Sequence, residues 1–147
     1  MLNEIVTIPL FTNEYEANYF EKTGVNYYTY EGIIKGKGTP REERIEKASD
    51  GYVLYVVYEG YQYTFFGNSG AKKENYLLGN VKIWDKNYKV GRFKIGVGSS
   101  QDDVQKAYRK KTKIKEAECG FVDGVIWVKF ALNPQKEVSS ITISLGP

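Results

Sequence analysis

The run GYVLYVVYEGYQYTFFG, residues 51–67, constrains this chain more than any other feature. It consists of two stretches rich in β-branched and aromatic residues, separated by Glu59-Gly60. Such stretches favour a pleated, half-buried surface, and a two-residue break ending in glycine is a hairpin signal. An antiparallel sheet is therefore the expected centre of the fold. Strand alternation places Tyr52 and Tyr58 on one face of the hairpin and Tyr55 on the other, with Tyr61 and Tyr63 on the returning strand. These five tyrosines are the candidate protein-binding residues, because a row of large, rigid, amphipathic rings on an exposed sheet face suits recognition of another protein.

Further strands are expected at YLLGNVKIWD (76–85), at FVDGVIWVKFALN (121–133), bent or folded back around Asp123-Gly124, and at EVSSITISL (137–145). VNYYTYEGII (25–34) also reads as a strand, KNY turns the chain toward KVGRFKI (89–95), and NSGAKKEN (68–75) is a polar loop. Residues 1–24 suggest a short strand or arm, with a helical turn over 14–21. Two helices are expected. One spans 36–49, with Thr39 as N-cap, Pro40 at the first helical position and Glu42 three residues after the cap. The other starts at Ser99 or Ser100 and runs to about Lys110, with Val104, Ala107 and Tyr108 at helical spacing. The fold class is thus α+β: an antiparallel sheet with one or two helices packed on one face. A length of 147 residues fits a single domain, 1–147. A loose internal echo suggests a degenerate tandem helix–hairpin repeat with halves 25–88 and 89–147.

The stretch GVGSSQDDV (96–104) looks at first like a phosphate-holding loop. It lacks the third glycine of a dinucleotide fingerprint and the Gly-Lys-Ser/Thr of a P-loop. Asp102 and Asp103 would repel a phosphate yet favour the positive end of a helix. The stretch reads as the doorway of a helix, and no cofactor is expected.

Histidine is absent, and Cys119 is the single cysteine. Serine–histidine and cysteine–histidine nucleophile pairs and imidazole or multi-thiolate zinc sites are excluded, so Cys119 reads as a small hydrophobe. The carboxylate pairs Glu42/Glu43, Asp102/Asp103 and Glu116/Glu118 are too close in sequence to face each other across a cleft, and read as surface charge. We therefore expect no catalytic residue, no metal ligand and no enzymatic activity. The densest basic patch is Lys106, Arg109, Lys110, Lys111, Lys113 and Lys115. It suggests nucleic acid as the least favoured of three partner classes, since the net charge is only +3. An acidic-surfaced protein, such as a toxin or an enzyme, is the better match. No apolar run approaches the ~18 residues of a transmembrane helix. The N-terminal residues lack a signal-peptide pattern, which gives a cytoplasmic reading, or an extracellular or lipid-anchored one if a signal has been removed.

The C-terminal part, KIGVGSSQDDVQKAY followed by VIWVKFALNPQKEVSSITI, carries Ile95, Gly98, Ser100, Val104, Phe130, Leu132, Asn133, Val138 and Ile141 at a characteristic spacing. In this it resembles the helix-plus-antiparallel-sheet module of the BamE/SmpA lipoproteins and the β-lactamase-inhibitor-protein-like domains, over roughly 93–145. The resemblance implies a non-enzymatic binder. An inhibitor or toxin-immunity protein acting through the tyrosine-rich face is the leading expectation. The ectodomain of a secreted or lipid-anchored bacterial protein comes second, and a nucleic-acid binder third.

Overall fold

A computed structural model describes residues 29–34, 37–90, 93–108, 113–115, 117–123 and 126–145. The expectations for residues 1–28, and for Arg109, Lys110, Lys111 and Glu116, lie outside the described residues. The described chain divides between Asn80 and Val81 into two compact units, each built from a short capped helix and antiparallel strands. The fold is α+β, as expected.

In the first unit the hairpin forms where the sequence places it. Strands β2 (Gly51–Tyr58) and β3 (Tyr61–Asn68) pair antiparallel from Gly51↔Asn68 to Tyr58↔Tyr61. Gly60 turns the chain at φ 91°, a conformation that a side chain would disfavour. Leu54, Val56 and Tyr58 point to the same face as their partners Phe65, Tyr63 and Tyr61, and all six are buried. With β1 (Glu42–Ala48) and β4 (Leu77–Ile83) the strand order is β1-β2-β3-β4.

Two expectations are corrected here. Residues 42–48 form β1, not a helix, and pair with β2 from Glu42↔Val57 to Ala48↔Gly51. A helix over EERIEKA has only Ile45 and Ala48 to bury, too little to hold it. The edge of β2 offers backbone partners along its whole length. Every residue of β1 is exposed and five of the seven are charged, which suits an edge strand that resists further pairing. The second correction concerns 25–34: Tyr30–Ile34 is helix α1, not strand. The carbonyl of Thr29 accepts from the Ile33 amide at 2.9 Å and its Oγ1 accepts from the Gly32 amide at 3.1 Å. A threonine in this capping position takes up amides that a strand would need for its ladder. Tyr30 meets Phe65 edge-on at 5.6 Å, which sets α1 on the buried face of this unit's sheet.

The second unit has the strand order β10-β9-β8-β7, with β7 Lys113–Lys115, β8 Glu118–Asp123, β9 Ile126–Leu132 and β10 Val138–Leu145. β8 and β9 form the expected hairpin, with register up to Asp123↔Ile126. Val128, Phe130 and Leu132 on β9 face inward with Val138, Ile141 and Ile143 on β10. A small separate ribbon pairs β5 (Lys89–Val90) with β6 (Ile95–Gly96).

The GVGSS stretch leads into helix α2, Gln101–Ala107. The Ser100 side chain accepts from the Asp103 amide at 3.1 Å, while the amides of Gly98 and Gln101 donate to Val138 and Lys136 carbonyls at 2.8 and 2.9 Å. The Gly96 amide donates to Ser99 Oγ at 3.0 Å. The amides of Gly96, Gly98, Ser99, Gln101 and Asp103 are thus committed to the fold, and the stretch is a doorway. Val104 is fully buried beneath α2, and Tyr108 stacks on Phe130 at 6.2 Å. The helix stops at Ala107 rather than Lys110, because Tyr108 leaves helical geometry at φ −124°.

The two capping residues give a sharp test. Ser100→Ala should lower stability by about 0.5–2 kcal/mol, the usual loss of an N-cap. Thr39→Ala should stay within about 0.5 kcal/mol, because Thr39 is exposed and begins no helix. Urea unfolding midpoints measure both, and equal losses would contradict the β1 assignment.

Candidate interaction surfaces

The tyrosine hairpin separates into a core set and a surface set. Tyr58 stacks on Tyr61 at 5.2 Å, and Tyr63 meets both edge-on at 6.2 and 5.8 Å. Tyr58, Tyr61 and Tyr63 are 8%, 6% and 1% exposed, so these three residues of the expected binding face are core instead. The tyrosine ring supplies a large apolar area, and its hydroxyl is tolerated where a polar atom lies close. For Tyr58 that atom is the Gly38 carbonyl, which accepts its hydroxyl at 3.2 Å. Burial, reinforced by the nearby Tyr30 and Glu43, pushes the Tyr58 pKa up to about 12. Tyr52 belongs to the same face by alternation but stands at the strand end, 36% exposed.

Tyr55 lies on the opposite, outer face. It sits between Val53 and Val57, all three half-buried, and opposite Thr64. Phe66, paired with Val53, stands 49% exposed on that face. Its ring occupies the space a side chain on Gly79 would need, 1.9 Å from the position of a Cβ there. From β1, Arg44 lies 4.6 Å over the Tyr55 ring and is held by Glu46 at 3.2 Å and Glu42 at 3.6 Å. The result is an apolar strip of Val53, Tyr55, Val57 and Phe66, edged on β1 by Arg44 between Glu42 and Glu46. Phe66 and Arg44 were not singled out in the sequence. The signal was there in alternation, since Phe66 has the opposite parity to Tyr61, Tyr63 and Phe65.

On the buried face the carboxylate of Glu43 joins α1, β1 and the 3-10 turn Lys73–Asn75. It accepts the Tyr30 hydroxyl at 2.9 Å and pairs with Lys73 at 2.7 Å, and the Lys73 ammonium lies 4.8 Å from the Tyr30 ring centre. The Tyr30 pKa is raised by burial and by its bond to Glu43, and that of Lys73 by its bond to Glu43. Both groups hold their protons more firmly than usual. The cluster ties α1, β1 and the 3-10 turn together.

The remaining candidates do not assemble into chemistry. Cys119 is buried, and burial followed by the charge of Glu118 raises its thiol pKa, which disfavours the reactive thiolate. Among the described residues no three His, Cys, Asp or Glu side chains gather as for a metal ion. Of the basic patch, Lys106 is exposed on α2 beside a shallow cleft of about 330 Å³ that also carries Phe93, Lys94, Ser99 and Asp103. Lys113 and Lys115 belong to β7, a different element. No described helix is long and apolar enough to cross a membrane.

The nine residues of the C-terminal pattern occupy core and turn positions. Ile95, Val104, Phe130, Leu132, Val138 and Ile141 are buried, Ser100 caps α2, and Asn133 accepts the Gln135 and Glu137 amides to close the β9–β10 turn. Such a pattern speaks to fold. No protein-family model matches the chain, and no curated protein matches it. Among solved structures it is similar to a 1.5 Å crystal structure of an extracellular protein containing a SCP domain from Bacillus anthracis str. Ames, with a TM-score of 0.55 and 14% identity. The similarity covers 79% of this chain and 42% of that one, so this chain spans under half of its neighbour's length.

The two tyrosine faces differ in what they should contribute. Tyr63→Ala should remove about 3–5 kcal/mol of stability, as for other fully buried rings. Tyr55→Ala, on the outer face, should lose under about 1 kcal/mol. Alkaline titration gives a second test. A phenol whose pKa rises from 10 to about 12 on folding leaves stability intact below pH 10 and withdraws it as pH climbs through 12. Tyr58→Phe should therefore flatten the fall in stability between pH 10 and 12, measured by denaturant melts across that range. An unchanged slope would contradict the buried position of the Tyr58 hydroxyl.

Proposed function

We propose that this chain is a non-enzymatic protein-binding module of a secreted or lipid-anchored bacterial protein, acting through the outer face of β2 and β3. The observation that carries this reading is the strip of Val53, Tyr55, Val57 and Phe66, with Arg44 stacked on Tyr55. Aromatic residues and arginine are the types that anchor protein interfaces. The bulk of the hairpin's aromatic surface is buried in the core, so leaving Phe66 half in water is a departure that a partner would correct. The extracellular setting is supported by the fold-level similarity to an extracellular SCP-domain protein. The resemblance to BamE/SmpA and inhibitor-protein-like modules supports a binder rather than a catalyst. An inhibitor or immunity role against an acidic-surfaced protein would use the same strip, and the net charge of +3 is compatible with it. The extracellular neighbour favours the first reading.

A photo-crosslinking amino acid placed at position 55 or 66, expressed in the native host, tests the face. A discrete adduct should form from both positions and be absent from position 136, which is exposed in the Asn133–Lys136 turn. Protease added to intact cells should degrade the tagged full-length protein. Absence of adducts at 55 and 66 would defeat the interface, and full protection from protease would defeat the extracellular assignment in favour of an intracellular inhibitor.

A further inference from the structure

The outer face of the second unit has a different chemistry. Register places Trp127 opposite Ser144, Lys129 opposite Thr142 and Ala131 opposite Ser140, and residues directly opposite in an antiparallel pair share a face. Trp127 is 52% exposed there, while its strand neighbour Val128 is 2% exposed on the other side. Ser140, Thr142 and Ser144 form a row of partly exposed hydroxyls on β10, repeating every ~7 Å along the strand. Among the described residues these three hydroxyls make no side-chain hydrogen bond. The Lys129 ammonium is balanced by Glu118 at 3.8 Å.

Each class of partner meets this surface differently. A protein with an apolar patch would desolvate three hydroxyls, at about 1–3 kcal/mol for each left unsatisfied. A phosphate backbone would find the Lys129 charge already compensated. A polyhydroxylated ring meets both features at once. Its C–H face is apolar and flat enough to lie on an indole. Its edge hydroxyls donate and accept, as do those of serine and threonine, while the Lys129 ammonium donates and the Glu118 carboxylate accepts. We propose that the outer face of β9 and β10 is an oligosaccharide-binding surface, with Trp127 as the stacking platform and Thr142 and Ser144 as hydrogen-bonding groups. This surface is independent of the strip around Tyr55, and either proposal can stand without the other.

The full chain also carries Trp84, 43% exposed, so a Trp84→Phe background leaves Trp127 as its one tryptophan for fluorescence. Chitotetraose, cellotetraose and maltotetraose are titrated separately into that protein to about 10 mM, which captures binding down to the millimolar range typical of weak ligands. At least one should give saturable quenching. By calorimetry on the parent chain, Trp127→Ala should weaken the same sugar by about tenfold or more, and Thr142→Val by about threefold or more. Trp127→Tyr, which keeps an aromatic platform, should retain more affinity than the alanine variant. Far-ultraviolet dichroism confirms that each variant is folded. No saturable binding by any of the three sugars would overturn the proposal. So would binding that persists unchanged in Trp127→Ala.

Discussion

The register of β2 against β3, set by the Tyr58↔Tyr61 pair across Glu59-Gly60, governs the first unit. Side chains alternate with a period of two, so a slip of β3 by one residue would bring Phe66 inward and expose Tyr63 and Phe65. The turn holds this register by demanding a positive φ at Gly60, and the ring stack of Tyr58 on Tyr61 holds it from the side-chain layer. Both act at the same end of the hairpin. The pairing of β1, the seating of α1 on Phe65 and the Glu43 tie to Tyr30 and Lys73 all build on the faces that this register defines.

The second unit relies on a backbone junction. The Gly98 and Gln101 amides and the Val138 amide tie the approach of α2 to the start of β10, and the Ser100 side chain then caps the helix. A seven-residue helix has little stability of its own. It persists because its capped end is hydrogen-bonded to a strand and because Val104 and Tyr108 cover the β9 core. The same loop that invited comparison with a phosphate site uses its Gly98 and Gln101 amides to hold the unit together.

Each unit leaves one sheet face largely uncovered by the described residues, and the two faces differ in character. The first carries valines, a phenol and a half-exposed phenylalanine; the second carries hydroxyls around an indole. Apolar area rewards a dry protein contact, whereas a hydroxyl row rewards a partner that can replace water bond for bond. That contrast is the physical basis for assigning different ligands to the two faces.

Much of this was legible in the sequence because it rests on local rules. The hairpin at 51–67, the Ser100 cap with Val104 beneath it, the turn at Asp123-Gly124 and the strand at 137–145 follow from turn chemistry and from periods of two or 3.6. The lack of histidine likewise restricted the available chemistry before any fold was known. The tertiary structure decided what depended on available partners. Residues 42–48 had a plausible helix cap, but no surface for a helix to cover and an open strand edge beside them. Tyr30–Ile34 had strand-like composition, but Thr29 captured its amides. Alternation could divide the tyrosines into two faces, yet only α1 packed over Phe65 showed which face was interior. That choice is completed non-locally: the face carrying Leu54, Tyr63 and Phe65 is the more apolar, since Gln62 and Thr64 lie on the other, but it becomes interior only where α1 covers it.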